Sequence, residues 1–119
     1  MPKEKLFEIV KYVKAFLSRH GLKAKVLPFG SQLTARARKD SDVDLAIITD
    51  AFERKATLKR YDMLGNLSIA LVDKFAMPFD LILISSTEWQ KETTLPVMMV
   101  KQAYEDLEDK GLRRRFLHR

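Results

Sequence analysis

The chain has 119 residues, 46% hydrophobic and 32% charged, a balance that excludes a disordered or fibrous protein and predicts one soluble globular domain. It contains no cysteine, which removes disulfides, thiolate metal sites and a cysteine nucleophile. The net charge of +6 is concentrated at one end: Lys110, Arg113, Arg114, Arg115 and Arg119 come with no acid, and the rest of the chain is almost neutral. That block reads as a solvated tail or partner-docking arm ahead of an RNA contact.

Between Lys3 and His20, the residues Leu6, Ile9, Val10, Val13, Phe16 and Leu17 recur at three- and four-residue steps and predict an amphipathic helix, which Gly21 ends. Ala24 to Phe29 reads as a short strand, residues 30–41 as a polar loop, and Asp42 to Ile48 as an apolar strand with acids at its start. Asp50, with Glu53 three residues on, predicts a capping box opening a second helix. That helix is expected to run, with a break near Gly65, to about Asp73 and to bury Met63, Leu64, Leu67 and Leu71. After Pro78, Phe79 to Ile84 reads as a strand, and Thr87 with Gln90 predicts the cap of a further helix. Pro96 restarts a helical pattern whose apolar face is Val100, Ala103, Tyr104 and Leu107.

Helices alternating with strands predict an α/β or α+β domain, a small mixed sheet flanked by helices over residues 1–109, with 110–119 as a basic tail. A domain of this size buries proportionally little surface, so a protein partner or a second copy is expected on the apolar faces near Trp89 and from Val100 to Leu107. The longest apolar stretches are too short for a bilayer, and Met1-Pro2-Lys3-Glu4-Lys5 lacks the apolar core of a signal peptide, so a cytoplasmic protein is expected.

The chemistry is concentrated between Phe29 and Leu45. Alternate side chains of a strand share a face, so Asp42 and Asp44 are expected to project together while Val43 and Leu45 face the core. Two carboxylates crowded this way repel each other, and a hard divalent cation such as Mg²⁺ relieves the repulsion with oxygen ligands. Asp80 adds a third acid inside the apolar run Phe79 to Ile84, where burial without a partner is costly. If that strand lies beside the Asp42 strand, the three acids can bracket two metal ions, with Asp80 suited to the general base. Gly30-Ser31, after a strand, can present backbone N–H groups and a hydroxyl to phosphate, and Arg36 and Arg38 can neutralise the same phosphates.

This pattern resembles the DNA polymerase β-like nucleotidyltransferase superfamily: an apolar residue, Gly-Ser, roughly ten residues, Asp-x-Asp, and a third Asp on a later strand. Gly30, Ser31, Asp42, Asp44 and Asp80 stand at those positions, and the length and element order are similar to the stand-alone minimal nucleotidyltransferases of prokaryotes. The resemblance implies transfer of a nucleoside monophosphate, AMP from ATP, to a hydroxyl acceptor, with Mg²⁺ or Mn²⁺ held by the three aspartates. It also implies a helical HEPN-type partner that the protein modifies as an antitoxin. Many such relatives carry Arg-Gly shortly after Gly-Ser, where this chain has Thr34-Ala35. Two other readings stand beside it: a non-catalytic antitoxin of the same fold that binds its partner by contact alone, and a component of an RNA-directed transferase.

Other candidates carry less. A calcium loop starting at Asp40 would need glycine and glutamate where Leu45 and Ala51 stand. His20 and His118 have no companions at metal-ligand spacing, and Ser31 has no histidine base nearby in sequence. Trp89, Met77, Met98 and Met99 read as packing or interface residues.

Overall fold

The fold is described from a computed structural model, covering residues 3–29, 42–92 and 94–109. Helix α1, Lys3–Arg19, turns the expected apolar stripe onto the core, with Leu6, Ile9, Val10, Val13, Phe16 and Leu17 all buried. It ends as predicted. Gly21 takes a positive φ of 77°, which lets the Leu22 N–H reach back 2.9 Å to the Leu17 carbonyl and satisfies the last turn. His20 belongs to this cap: Nδ1 lies 2.9 Å from the Phe16 carbonyl and the imidazole stacks on the Phe16 ring.

The sheet has three strands in the order β1-β2-β3, namely Lys25–Phe29, Val43–Thr49 and Phe79–Ser85. β1 runs antiparallel to β2, from Lys25 opposite Ile48 to Phe29 opposite Asp44. β3 runs parallel to β2, from Phe79 opposite Val43 to Ser85 opposite Thr49. The sheet is therefore mixed, with β2 central. Its residues are buried on both faces apart from half-buried Asp44, which explains the nearly continuous apolar run Leu45 to Ile48. Pro28, which cannot donate to a ladder, sits on the edge strand β1, where proline is tolerated. α1 and the last helix, α5 (Leu95–Asp109), both pack on β1, and α5 buries Val97, Val100 and Ala103.

The crossover from β2 to β3 departs from the sequence expectation. Asp50 and Glu53 do not form a capping box. Thr49 caps a short 3-10 turn, Asp50–Phe52, by accepting the Ala51 N–H, and the Glu53 carboxylate instead accepts from the Thr87 N–H and hydroxyl. Phe52, completely buried, pulls the chain back onto the sheet and prevents a helix from starting there. Two short helices follow, α2 (Thr57–Met63) and α3 (Leu67–Phe75), separated at Gly65 with φ of 62°, so the expected break is present. Leu64, Leu67 and Leu71 are buried as expected, joined by Phe75, while Met63 is only half-buried against the core.

A second cap is also displaced. α4, Ser86–Lys91, is capped by Ser85 with Glu88 in a reciprocal box, not by Thr87 with Gln90. Both sequence patterns are compatible with a cap. The strand decides between them, because it holds Ser85 in extended backbone geometry at the point where the helix must begin.

Candidate active site

β2 and β3 are parallel and start at the same end of the sheet, so an acid near the start of each is brought to one place. The register sets Asp44 directly opposite Asp80. Directly opposed residues on neighbouring strands share a face, with Cβ atoms about 5 Å apart, and like charges there destabilise the sheet. The two strand starts are tied by the Val43 N–H, which donates to the Pro78 carbonyl at 3.0 Å. Val43 and Leu45 are fully buried on either side of Asp44, so its backbone is held while its side chain stays half-exposed.

The electrostatics follow from this placement. Burial, then the charge of Asp80, then that of Asp42, push the Asp44 carboxyl up to about 6 from an ordinary 3.8. Asp42 is exposed and lies one residue outside the β2 ladder, so strand alternation does not pin it to the sheet face. The sequence expectation is that the three acids bracket two metal ions with Asp80 as general base, and the ladder brings two of them, Asp44 and Asp80, to one place. Among the described residues, no three carboxylate or imidazole side chains converge closely enough to hold a metal ion by themselves. What the fold builds is an opposed pair, Asp44 with Asp80, with Asp42 as a weaker third charge.

The phosphate-binding residues expected from the sequence, Gly30, Ser31, Arg36 and Arg38, lie outside the described residues, as does Thr34-Ala35. The described chain stops at Phe29, opposite Asp44, and resumes at Asp42.

Two consecutive residues of α2 reach this strand without any warning in the sequence. The Tyr61 hydroxyl donates to the Leu81 carbonyl at 2.5 Å, one residue past Asp80. Burial and the charge of Asp80 hold the Tyr61 phenol above its ordinary value. Arg60, buried, donates from Nη1 to the Leu83 carbonyl at 3.0 Å and from Nε to the Lys55 carbonyl at 2.8 Å, and it forks onto both oxygens of Glu88 at 2.6 and 3.2 Å. Leu81 and Leu83 are two apart on the edge strand, so their carbonyls point the same way. α2 therefore caps the free edge of β3 and holds in register the strand that carries Asp80. In Lys59-Arg60-Tyr61 the sequence shows only a polar helix segment, and no local pattern marks the contact.

The small α+β fold, with helices around a mixed three-stranded sheet, is consistent with a nucleotidyltransferase fold. Compared with known families, residues 9–110 match the nucleotidyltransferase domain family, to which the chain belongs. No individual curated protein and no solved structure gives a significant match.

Proposed function

We propose that the protein is a metal-dependent nucleotidyltransferase that moves a nucleoside monophosphate, AMP from ATP, onto a hydroxyl acceptor. The observation that carries this reading is the register of Asp44 against Asp80 at the common start of two parallel strands, within a chain of the nucleotidyltransferase family. The donor set suits a hard divalent cation: oxygen ligands only, and a carboxyl pushed up by burial and then by two neighbouring negative charges, which a cation would offset. Asp42 and Asp44 would hold the cation that carries the triphosphate, with Asp80 beside them toward the acceptor, and substrate phosphates would supply the remaining ligands. Bound there, Mg²⁺ or Mn²⁺ would stabilise charge on the phosphates and on the departing pyrophosphate.

The chain's own part in the reaction is proton transfer and alignment. The exposed Asp80 carboxylate takes the proton of the acceptor hydroxyl. The acceptor oxygen bonds to the α-phosphorus, the bond from that phosphorus to the β-bridging oxygen breaks, and pyrophosphate leaves. Tyr61 and Arg60 hold β3 in place while this occurs.

The acceptor we propose is a hydroxyl on a helical protein partner of the HEPN type. The resemblance supports this, and so do the apolar side chains left on the surface of α5. Those side chains equally favour a second reading, a non-catalytic module that neutralises a partner by contact. The test follows label from α-labelled ATP into protein and RNA acceptors in the presence of Mg²⁺, beside thermal melts. The wild type should transfer label, and with free nucleotide near a hundred times its Kd it should gain about 2.7 kcal/mol of stability. Asp44→Asn should lose both transfer and stabilisation. Asp80→Asn should still bind nucleotide but fail to transfer it. Partner binding by a wild type that shows neither transfer nor a metal-dependent shift would replace the enzyme with the contact module.

A further inference from the structure

The far end of the sheet from the carboxylates carries a different feature. The last residues of β2, the turn into β1 and the C-terminal half of α1 enclose an open groove of about 1040 Å³. It is lined by Ile48 and Thr49, and at ~3.3 Å of rise per residue it lies about 13–17 Å from Asp44 along β2.

Among the described residues, three lysines line this groove, Lys14 from α1 and Lys23 and Lys25 from the approach to β1, against a single acid, Asp50. The walls are fixed. Thr49 Oγ1 donates to the Lys23 carbonyl at 2.8 Å and accepts the Ala51 N–H at 3.2 Å, locking the Lys23 segment to the end of β2. Leu22, Ile48 and Ala51 supply an apolar part of the lining. No aromatic ring is among the described residues that line it, so it offers no stacking platform for a nucleobase. Burial lowers the Lys14 ammonium from its ordinary value, and an anion brought near it would offset that cost.

We propose that this groove binds a phosphorylated small molecule carrying at least two negative charges, at a site separate from the acidic pair. The excess of lysine over carboxylate matches such a ligand in charge. Lysine serves phosphate as a compact point charge with rotatable donors and does not need the planar fit that a carboxylate offers arginine. The apolar lining takes the uncharged body of the ligand. The inference is independent of the transfer reaction, because none of these residues belongs to the acidic end.

The test is an amide-resolved NMR titration of metal-free protein with inorganic pyrophosphate at constant ionic strength. Saturable shifts are expected at residues 22–25 and 48–51, with none at residues 43–45. Lys14→Gln with Lys25→Gln should weaken binding at least tenfold while Mg²⁺-dependent nucleotide binding at the acidic end persists. Lys23→Gln with Lys25→Gln, both exposed positions, serves if the Lys14 variant does not fold. Shifts that fail to saturate, that appear only at the acidic end, or that survive either double variant overturn the proposal. So does a short single-stranded oligonucleotide that moves the same amides at lower concentration than pyrophosphate and loses affinity steeply with salt, because the groove is then a nucleic-acid surface.

Discussion

Asp44 has two neighbours that work against its charge, Asp80 across the ladder and Asp42 along the chain. A carboxyl raised in the folded state makes stability depend on pH with a definite sign. Below its ordinary 3.8 the group is protonated whether the chain is folded or not, and nothing is lost. Between 3.8 and about 6 the folded chain holds more protons than the unfolded one, so stability falls as pH rises, and above about 6 the full penalty is present. Asp44→Asn should therefore flatten this slope. Discounted for solvent screening at a half-exposed group, the gain at pH 7 should be about 1 kcal/mol. Urea denaturation of both proteins at several pH values from 4 to 7, without metal, measures it; parallel curves would show that neither burial nor its neighbours raise the Asp44 carboxyl. Tyr61→Phe tests the neighbouring contact. Losing the bond to the Leu81 carbonyl should cost about 0.5–1 kcal/mol in the same denaturation experiment, limited by the access of water to a partly exposed site.

At the scale of elements, α2 is joined to β3 and α4 through Arg60. One guanidinium serves the edge of the strand, the turn before its own helix and the carboxylate that completes the α4 capping box. Arg60→Met keeps much of the side-chain volume but leaves the Leu83 and Lys55 carbonyls and Glu88 without this donor. We expect a loss of about 2–3 kcal/mol, read as a lower denaturant midpoint. The hydrogen bond from Arg60 holds the Glu88 carboxyl below its ordinary 4.5. A depressed carboxyl stabilises the fold above its unfolded value, and that contribution disappears as pH falls through the folded value. On acidification below about pH 4.5, wild type should lose stability faster than Glu88→Gln, a difference that an acid titration followed by circular dichroism would show.

For the whole molecule, the informative surface is apolar, and it lies partly away from where the sequence places it. Trp89 is half-buried against the core under Lys101, whose ammonium stands 4.2 Å from the ring centre, and Val100 is fully buried. On α5, exposed apolar side chains are instead Leu95, Met98 and Met99, at 67%, 53% and 52% exposure. Their spacing of three and four residues puts them on one face of the helix. Replacing all three with serine should change monomer stability by less than about 1 kcal/mol, since exposed positions contribute little to folding. Association with a second copy or with a partner should weaken markedly in sedimentation or light scattering. If association is unchanged, this face is not the contact surface. Among the described residues no helix is long and apolar enough to cross a membrane.

Much of this protein is legible in its sequence because the deciding signals are local. The three- and four-residue steps of α1, Gly21 at its end, Gly65 between α2 and α3, and the apolar runs of β2 and β3 each report a backbone preference or a buried face within a short window. The acids Asp42, Asp44 and Asp80 are conspicuous for the same reason, as charges next to or inside apolar strands. What the sequence leaves open is which strand neighbours which, and in what register. That depends on pairing between segments more than thirty residues apart, and it alone makes Asp44 and Asp80 an opposed pair while Asp42 stays outside the ladder. The two misplaced caps have a similar cause. Asp50 with Glu53 and Thr87 with Gln90 are adequate local patterns, but burial of Phe52 and the end of β3 at Ser85 fix where each helix can start. Arg60 and Tyr61 show the limit most clearly: nothing local distinguishes them from other polar residues of a short helix, and only the packing of α2 along the edge of β3 turns them into the supports of the strand that carries Asp80.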